Sequence, residues 1–140
     1  MYTKIQVTFD AAEPEKLAEF WGLALGYVVE PPPEGFESWD DFAASAGIPE
    51  AEWGEVASRV DPAGEGPRLY FQRVPEGKTA KNRMHFDLRA PGPVAAEVAR
   101  LEGLGATVAQ RHEGYTVMRD PEGNEFCVEP GPAPYHAGTD

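Results

Sequence analysis

The stretch Asp120-Pro121-Glu122-Gly123-Asn124-Glu125-Phe126-Cys127-Val128 decides the fold, because its opening repeats an earlier one, Asp61-Pro62-Ala63-Gly64. In each, Asp accepts backbone hydrogen bonds, Pro presets the first central residue and Gly closes a β-turn. Each turn leads into a strand, Leu69 to Gln72 and Glu125 to Val128, and the strands close on Val74-Pro75 and Glu129-Pro130. Further out the match continues: Gln6 precedes Gly26 by 20 residues, and His85 precedes Gly105 by the same 20. Each half therefore reads strand, helix, strand, strand, strand. A half-size unit cannot bury its apolar faces alone, so the expectation is an α+β fold of two βαβββ modules, pairing into a curved mixed sheet around a central cleft.

Length and charge narrow the partners. The 140 residues suit one domain, and 12 basic against 24 acidic residues give a net charge of −12. That charge repels phosphate backbones and anionic membranes, so a small molecule is the expected partner, with no nucleic acid and no membrane. A single cysteine rules out an internal disulfide framework, and Met1 to Gln6 carries no apolar signal region, which points to the cytoplasm.

Along the chain, Lys4 to Phe9 alternates, with Ile5, Val7 and Phe9 on one face and Lys4, Gln6 and Thr8 on the other, as in a half-buried strand. Pro14 suits a helix start, Leu17, Phe20, Trp21 and Leu25 recur at helical spacing, and Gly26 ends the run. Tyr27 to Glu30 resumes as a strand until Pro31-Pro32-Pro33 stops it. Residues 31–52 form an excursion with no counterpart in the second half. Ser38 caps a helix there, and Trp39 and Trp53 act as surface staples or fold over the cleft. A strand from Gly54 to Val60 follows. Residues Pro75 to Lys81 read as the linker. The second half opens with Arg83 to Arg89, where Met84, Phe86 and Leu88 oppose Arg83, His85, Asp87 and Arg89. A helix from Pro93 to Leu104 and strands near Thr107 to Gln110, Tyr115 to Arg119 and Asn124 to Glu129 complete it. The domain thus spans 1–130, as module one (1–75) and module two (82–130), with a tail at 131–140.

Alternation collects Gln6, Tyr70, Gln72, Arg83, His85, Asp87, Arg89, Glu125, Cys127 and Glu129 on polar strand faces, which converge on the cleft if the modules pair. His85 is a general base or a ligand, or else a strand histidine bonded to Asp87. Cys127 is a reactive thiol or inert filler. Arg83 and Arg89 grip an anionic group or form salt bridges with Asp87, Glu125 or Glu129.

Taken together, the paired βαβββ pattern, Lys-Asn-Arg-Met-His-Phe-Asp-Leu-Arg from Lys81 to Arg89, and the Asp120 to Val128 run resemble the glyoxalase-like branch of the vicinal oxygen chelate superfamily. The resemblance covers the chain from its first strand to Pro130. It implies either a metal-dependent lyase or isomerase, or a metal-free protein that sequesters antibiotics. The implied metal positions are Gln6, Gln72, His85 and Cys127, with cysteine where the family usually has a carboxylate. A hard ion is poorly served by that set, and a softer one such as zinc accepts His85 with Cys127. The implied catalytic residues are His85 and Glu125. Trp21, Tyr70, Arg83, Arg89 and Glu129 are expected to contact the substrate, or, in the sequestering case, Trp21, Tyr70, Trp39 or Trp53 to wall the ligand. A homodimer is the expected assembly.

Overall fold

The computed structural model describes residues 2–132. They fall into two units, one ending at Gly77 and the other beginning at Lys78, inside the expected linker. The first contains β1 (Val7–Ala11), α1 (Pro14–Leu25), β2 (Val28–Val29), α2 (Trp39–Ser45), a 3-10 helix (Glu50–Glu55), β3 (Val56–Val60) and β4 (Leu69–Arg73). The second contains β5 (Asp87–Ala90), α3 (Val94–Leu104), β6 (Thr107–His112), β7 (Tyr115–Arg119) and β8 (Glu125–Pro130). Each unit holds a four-stranded mixed sheet of the same order, β1-β4-β3-β2 and β5-β8-β7-β6. In both, the first and last strands run parallel as neighbours and the remaining pairs are antiparallel. The α+β expectation of two βαβββ modules is met. The tail expected at 131–140 lies almost wholly outside the described residues.

The repeat extends to atomic detail. In the first turn, Asp61 accepts from the backbone N–H of Ala63 (2.9 Å), Glu65 (3.1 Å) and Gly66 (2.8 Å), and Gly64 N–H reaches the Asp61 carbonyl at 2.9 Å. In the second, Asp120 accepts from Glu122 N–H (2.9 Å), Asn124 N–H (3.0 Å) and the Asn124 side-chain amide (2.8 Å), with Gly123 N–H on its carbonyl at 2.9 Å. The helix ends match too: Gly26 and Gly105 both take positive φ, 75° and 120°, which a Cβ would strain.

Helix α1 opens with Pro14 in its first turn and buries Leu17, Ala18, Phe20, Trp21 and Ala24 along one side. That side meets the inward face of the sheet, where Phe9 stacks on Trp21 (5.7 Å) and on Phe71 (5.0 Å). Gly22 leaves room for the stem of Arg59, since a Cβ there would lie 3.2 Å from Arg59 Cδ. Arg59 is 6% exposed on this otherwise apolar face, and its guanidinium is satisfied by Glu15 Oε1 (2.6 Å) and the Ser58 carbonyl (2.8 Å). The second core gathers Val98, Leu101, Met118, Phe126 and Val128, all 1% exposed or less.

Three expectations shift. The first strands start later than Lys4 and Arg83, because parallel pairing begins only where β4 and β8 arrive, at Val7 opposite Leu69 and at Phe86, whose carbonyl takes Cys127 N–H at 2.9 Å. Ile5 and Met84, expected on the apolar faces, precede those ladders and are 72% and 89% exposed. In the excursion the strand begins at Val56, since residues 50–55 form the 3-10 helix. The expected cap is present: Ser38 Oγ accepts from Asp41 N–H at 3.0 Å.

Candidate functional site

The polar face of the second sheet brings three donors together. Pairing of β5 with β8 sets Asp87 opposite Cys127, and His85 stands two residues before Asp87, so strand periodicity aims all three the same way. One ligand atom from each of His85, Asp87 and Cys127 lies within 4.8 Å of the others. His85 Nδ1 and Asp87 Oδ1 are 2.9 Å apart, which orients the ring and leaves Nε2 for another partner. Partial burial pushes the Cys127 thiol up from its ordinary pKa, and the charges of Asp87 and Glu129 push it further.

Glu125, on the same strand face, is committed elsewhere. Its carboxylate takes Asn82 N–H (2.9 Å) and Lys78 Nζ (3.1 Å), and its side chain is only 14% exposed. Burial raises its pKa, but the Asn82 and Lys78 hydrogen bonds outweigh that and bring it to about 2. So weak a base is poorly suited to collecting a proton near neutrality, and the residue expected to be catalytic instead anchors the segment entering β5. Arg89 pairs with Glu129 at 2.9 Å, one of the salt bridges foreseen for it. Arg83 is exposed.

In the first unit the expected residues separate. Gln6 Oε1 accepts from Arg68 Nη1 (2.9 Å), while Gln72 donates to Asp10 Oδ1 (2.9 Å). The β1–β4 register places them at opposite ends of the strand pair, roughly 13 Å apart along it. Each is exposed and hydrogen-bonded to a neighbour of its own. Tyr70 lies half-buried beneath the Arg68 guanidinium, 5.0 Å from ring centroid to charge. Trp21 is 1% exposed and packs against Phe9 and Phe20, so it serves the core rather than a ligand wall.

The donor chemistry can be tested against a metal. Imidazole nitrogen, carboxylate oxygen and thiol sulfur fit a borderline-soft divalent ion such as zinc, with positions left open. They do not fit magnesium, which wants oxygen donors throughout. Sequence reading gave Asp87 as a hydrogen-bond or salt-bridge partner and not as a ligand. Its spacing of two from His85 was the signal that could have found it.

A concavity lies wholly in the first unit, beneath the excursion. This cavity of about 300 Å³ runs along β3, with Trp39, Phe42, Ile48 and Trp53 on the excursion side and Ser58 and Tyr70 on the sheet side. The Trp39 indole N–H ties the excursion to the residue before it, donating to the Glu30 carbonyl (2.7 Å), while that of Trp53 donates locally to the Ile48 carbonyl (3.0 Å). Glu30 in turn receives Arg68 (2.7 Å) and Ser58 (2.8 Å), and despite the cost of burial these bonds hold its carboxyl below the usual pKa. Periodicity could not reveal this cavity, because its walls meet only after the excursion has folded.

Two βαβββ repeats of common topology, one carrying a cluster of metal-capable donors, define a protein of the vicinal oxygen chelate type. The chain belongs to the glyoxalase-like domain family, whose model matches residues 6–129. Among solved structures, FosX, a fosfomycin resistance protein from Mesorhizobium loti, is similar at 10% identity, covering 97% of each chain with a TM-score of 0.64. A possible glyoxalase from Bacillus cereus is similar at 16% identity, covering 92% of this chain and 99% of its own, with a TM-score of 0.60. The hypothetical protein SA1046 from S. aureus is similar at 14% identity, covering 94% and 99%, with a TM-score of 0.58. At such identities the likeness is one of fold. No curated protein matches the chain. No described helix is long and apolar enough to cross a membrane.

Proposed function

We propose that this chain binds a small oxygen-rich organic molecule at the polar face of its second sheet and acts on it as a lyase or isomerase. The observation that carries the reading is the convergence of His85, Asp87 and Cys127 within 4.8 Å on that face. Where no ion occupies the cluster, Asp87 fixes the imidazole and His85 Nε2 holds or moves a proton at the substrate. Arg83, exposed nearby in sequence, receives an anionic substrate group. His85, Asp87 and Cys127 would hold a zinc-like divalent ion, which would supply the positive charge that polarises a substrate carbonyl. The net charge of −12 argues against nucleic acid, and a cytoplasmic homodimer completes the proposal.

Elemental analysis of protein purified without chelator tests this reading. Stoichiometric zinc, lost in His85→Ala, supports it. Metal-free protein whose melting temperature zinc does not raise removes the metal-dependent form. A metal-free sequestering role is the second reading, favoured by the aromatic-lined cavity of the first unit.

A further inference from the structure

We infer that the cavity beneath the excursion is a binding site for a small organic cation with a flat apolar body, such as an aryl ammonium ion. The inference rests on the sequestering reading, which it sharpens by naming the ligand class, and it is independent of the His85 cluster.

Three observations carry it. First, the excursion and the 3-10 helix that ends it place Phe36, Trp39, Phe42 and Trp53 on a short segment, yet no residue of α2 is buried and Trp39 is 38% exposed. A segment serving only as a staple would bury its rings. Instead they brace one another edge to face, Phe42 against Trp39 (5.8 Å) and Phe36 (5.4 Å), beside the cavity. Second, both indole N–H groups are already bonded to carbonyls, so these residues have chiefly ring faces to offer. A ring face is negative, and it attracts a cation within about 6 Å by about 0.5–2 kcal/mol.

Third, the charges lining the cavity do not cancel. Arg59 is neutralised by Glu15 (2.6 Å) and Arg68 by Glu30 (2.7 Å). Asp40 and Glu52 also line it, and neither carboxylate has an ion pair or hydrogen bond among the described residues. Two uncompensated negative charges beside indole faces favour a cation and repel an anion. The volume, at the small end of ligand pockets, restricts the apolar body to one or two rings. The net charge of −12 also draws cations towards the surface.

Phenyltrimethylammonium is the probe, with tert-butylbenzene as its neutral isostere and benzenesulfonate as an anionic analogue, titrated into ¹⁵N-labelled protein. The expected result is that phenyltrimethylammonium moves the Trp39 and Trp53 indole resonances while leaving that of buried Trp21 in place, and that benzenesulfonate moves none. The double variant D40N/E52Q, which keeps every ring, should weaken phenyltrimethylammonium binding by about fivefold to tenfold. If the neutral or anionic probe binds as well as the cation, or the double variant binds it unchanged, the ligand class is overturned while the sequestering reading stands. If no probe moves either indole, both fall.

Discussion

Replacing Asp120 with alanine tests the claim that the aspartate side chain holds the Asp-Pro-x-Gly turn of each repeat. Asp120 is 4% exposed and accepts three hydrogen bonds of 2.8–3.0 Å from two residues, Glu122 and Asn124. Bonds to an ionised acceptor contribute about 1.5–3 kcal/mol each when fully sheltered. Glu122 and Asn124 are only half-buried, so water recovers part of each bond, and a net of about 1 kcal/mol apiece gives about 3 kcal/mol for Asp120→Ala. For a chain of this length that is a fall of about 10 °C in melting temperature. Asp61→Ala also removes three hydrogen bonds, all of them from backbone N–H groups, but from a more exposed turn, and should cost less. Asp120→Asn keeps one carbonyl oxygen for the two backbone donors and should fall between wild type and Asp120→Ala. Urea denaturation followed by far-UV circular dichroism orders the variants. An Asp120→Ala loss no greater than that of Asp61→Ala, or an Asn variant as damaged as the Ala variant, would refute the reasoning.

Two further outcomes are expected. Glu125 is held down to about 2 in the folded chain from an ordinary 4.5, so its contribution is complete above pH 4.5 and lost as pH falls towards 2; urea stability measured from pH 6 to pH 2 should drop less steeply in Glu125→Gln. A Cβ at Gly66 would collide with Tyr27 Oη, which donates to the Pro67 carbonyl at 3.0 Å, so Gly66→Ala should destabilise by about 1–3 kcal/mol, and Tyr27→Phe should restore part of that in the double mutant, as a thermodynamic cycle would show.

What the sequence disclosed was what short-range chemistry controls. The Asp-Pro-x-Gly turns, the glycines ending α1 and α3, and the Ser38 cap are each settled within a few residues, and all three stand in the structure. Strand starts were less legible, because Ile5 and Met84 continue the alternating pattern past the point where a partner strand exists. Trp21 lies on the buried stripe of α1, and its helical spacing already said so; assigning it to a ligand wall as well asked one ring to face two ways. The side chains of Glu125 and Asp87 were placed on the correct face by periodicity. Their different duties were not legible, since these depend on Lys78 and Asn82 reaching one and His85 the other. The cavity beneath the excursion joins residues from α1 to β4 and leaves no local trace.

The strand order has a consequence for synthesis. In each unit the last strand made lies between the first and the third, so no sheet is complete until its final strand has left the ribosome and slotted into the middle. That insertion closes a loop of about 60 residues in the first unit and about 40 in the second, a difference of about 0.4 kcal/mol in chain entropy. The excursion accounts for the longer loop, so the segment that builds the aromatic cavity also handicaps the unit that emerges first. The later unit carries the shorter closure, and a nascent chain can zip its second sheet nearly as soon as β8 appears.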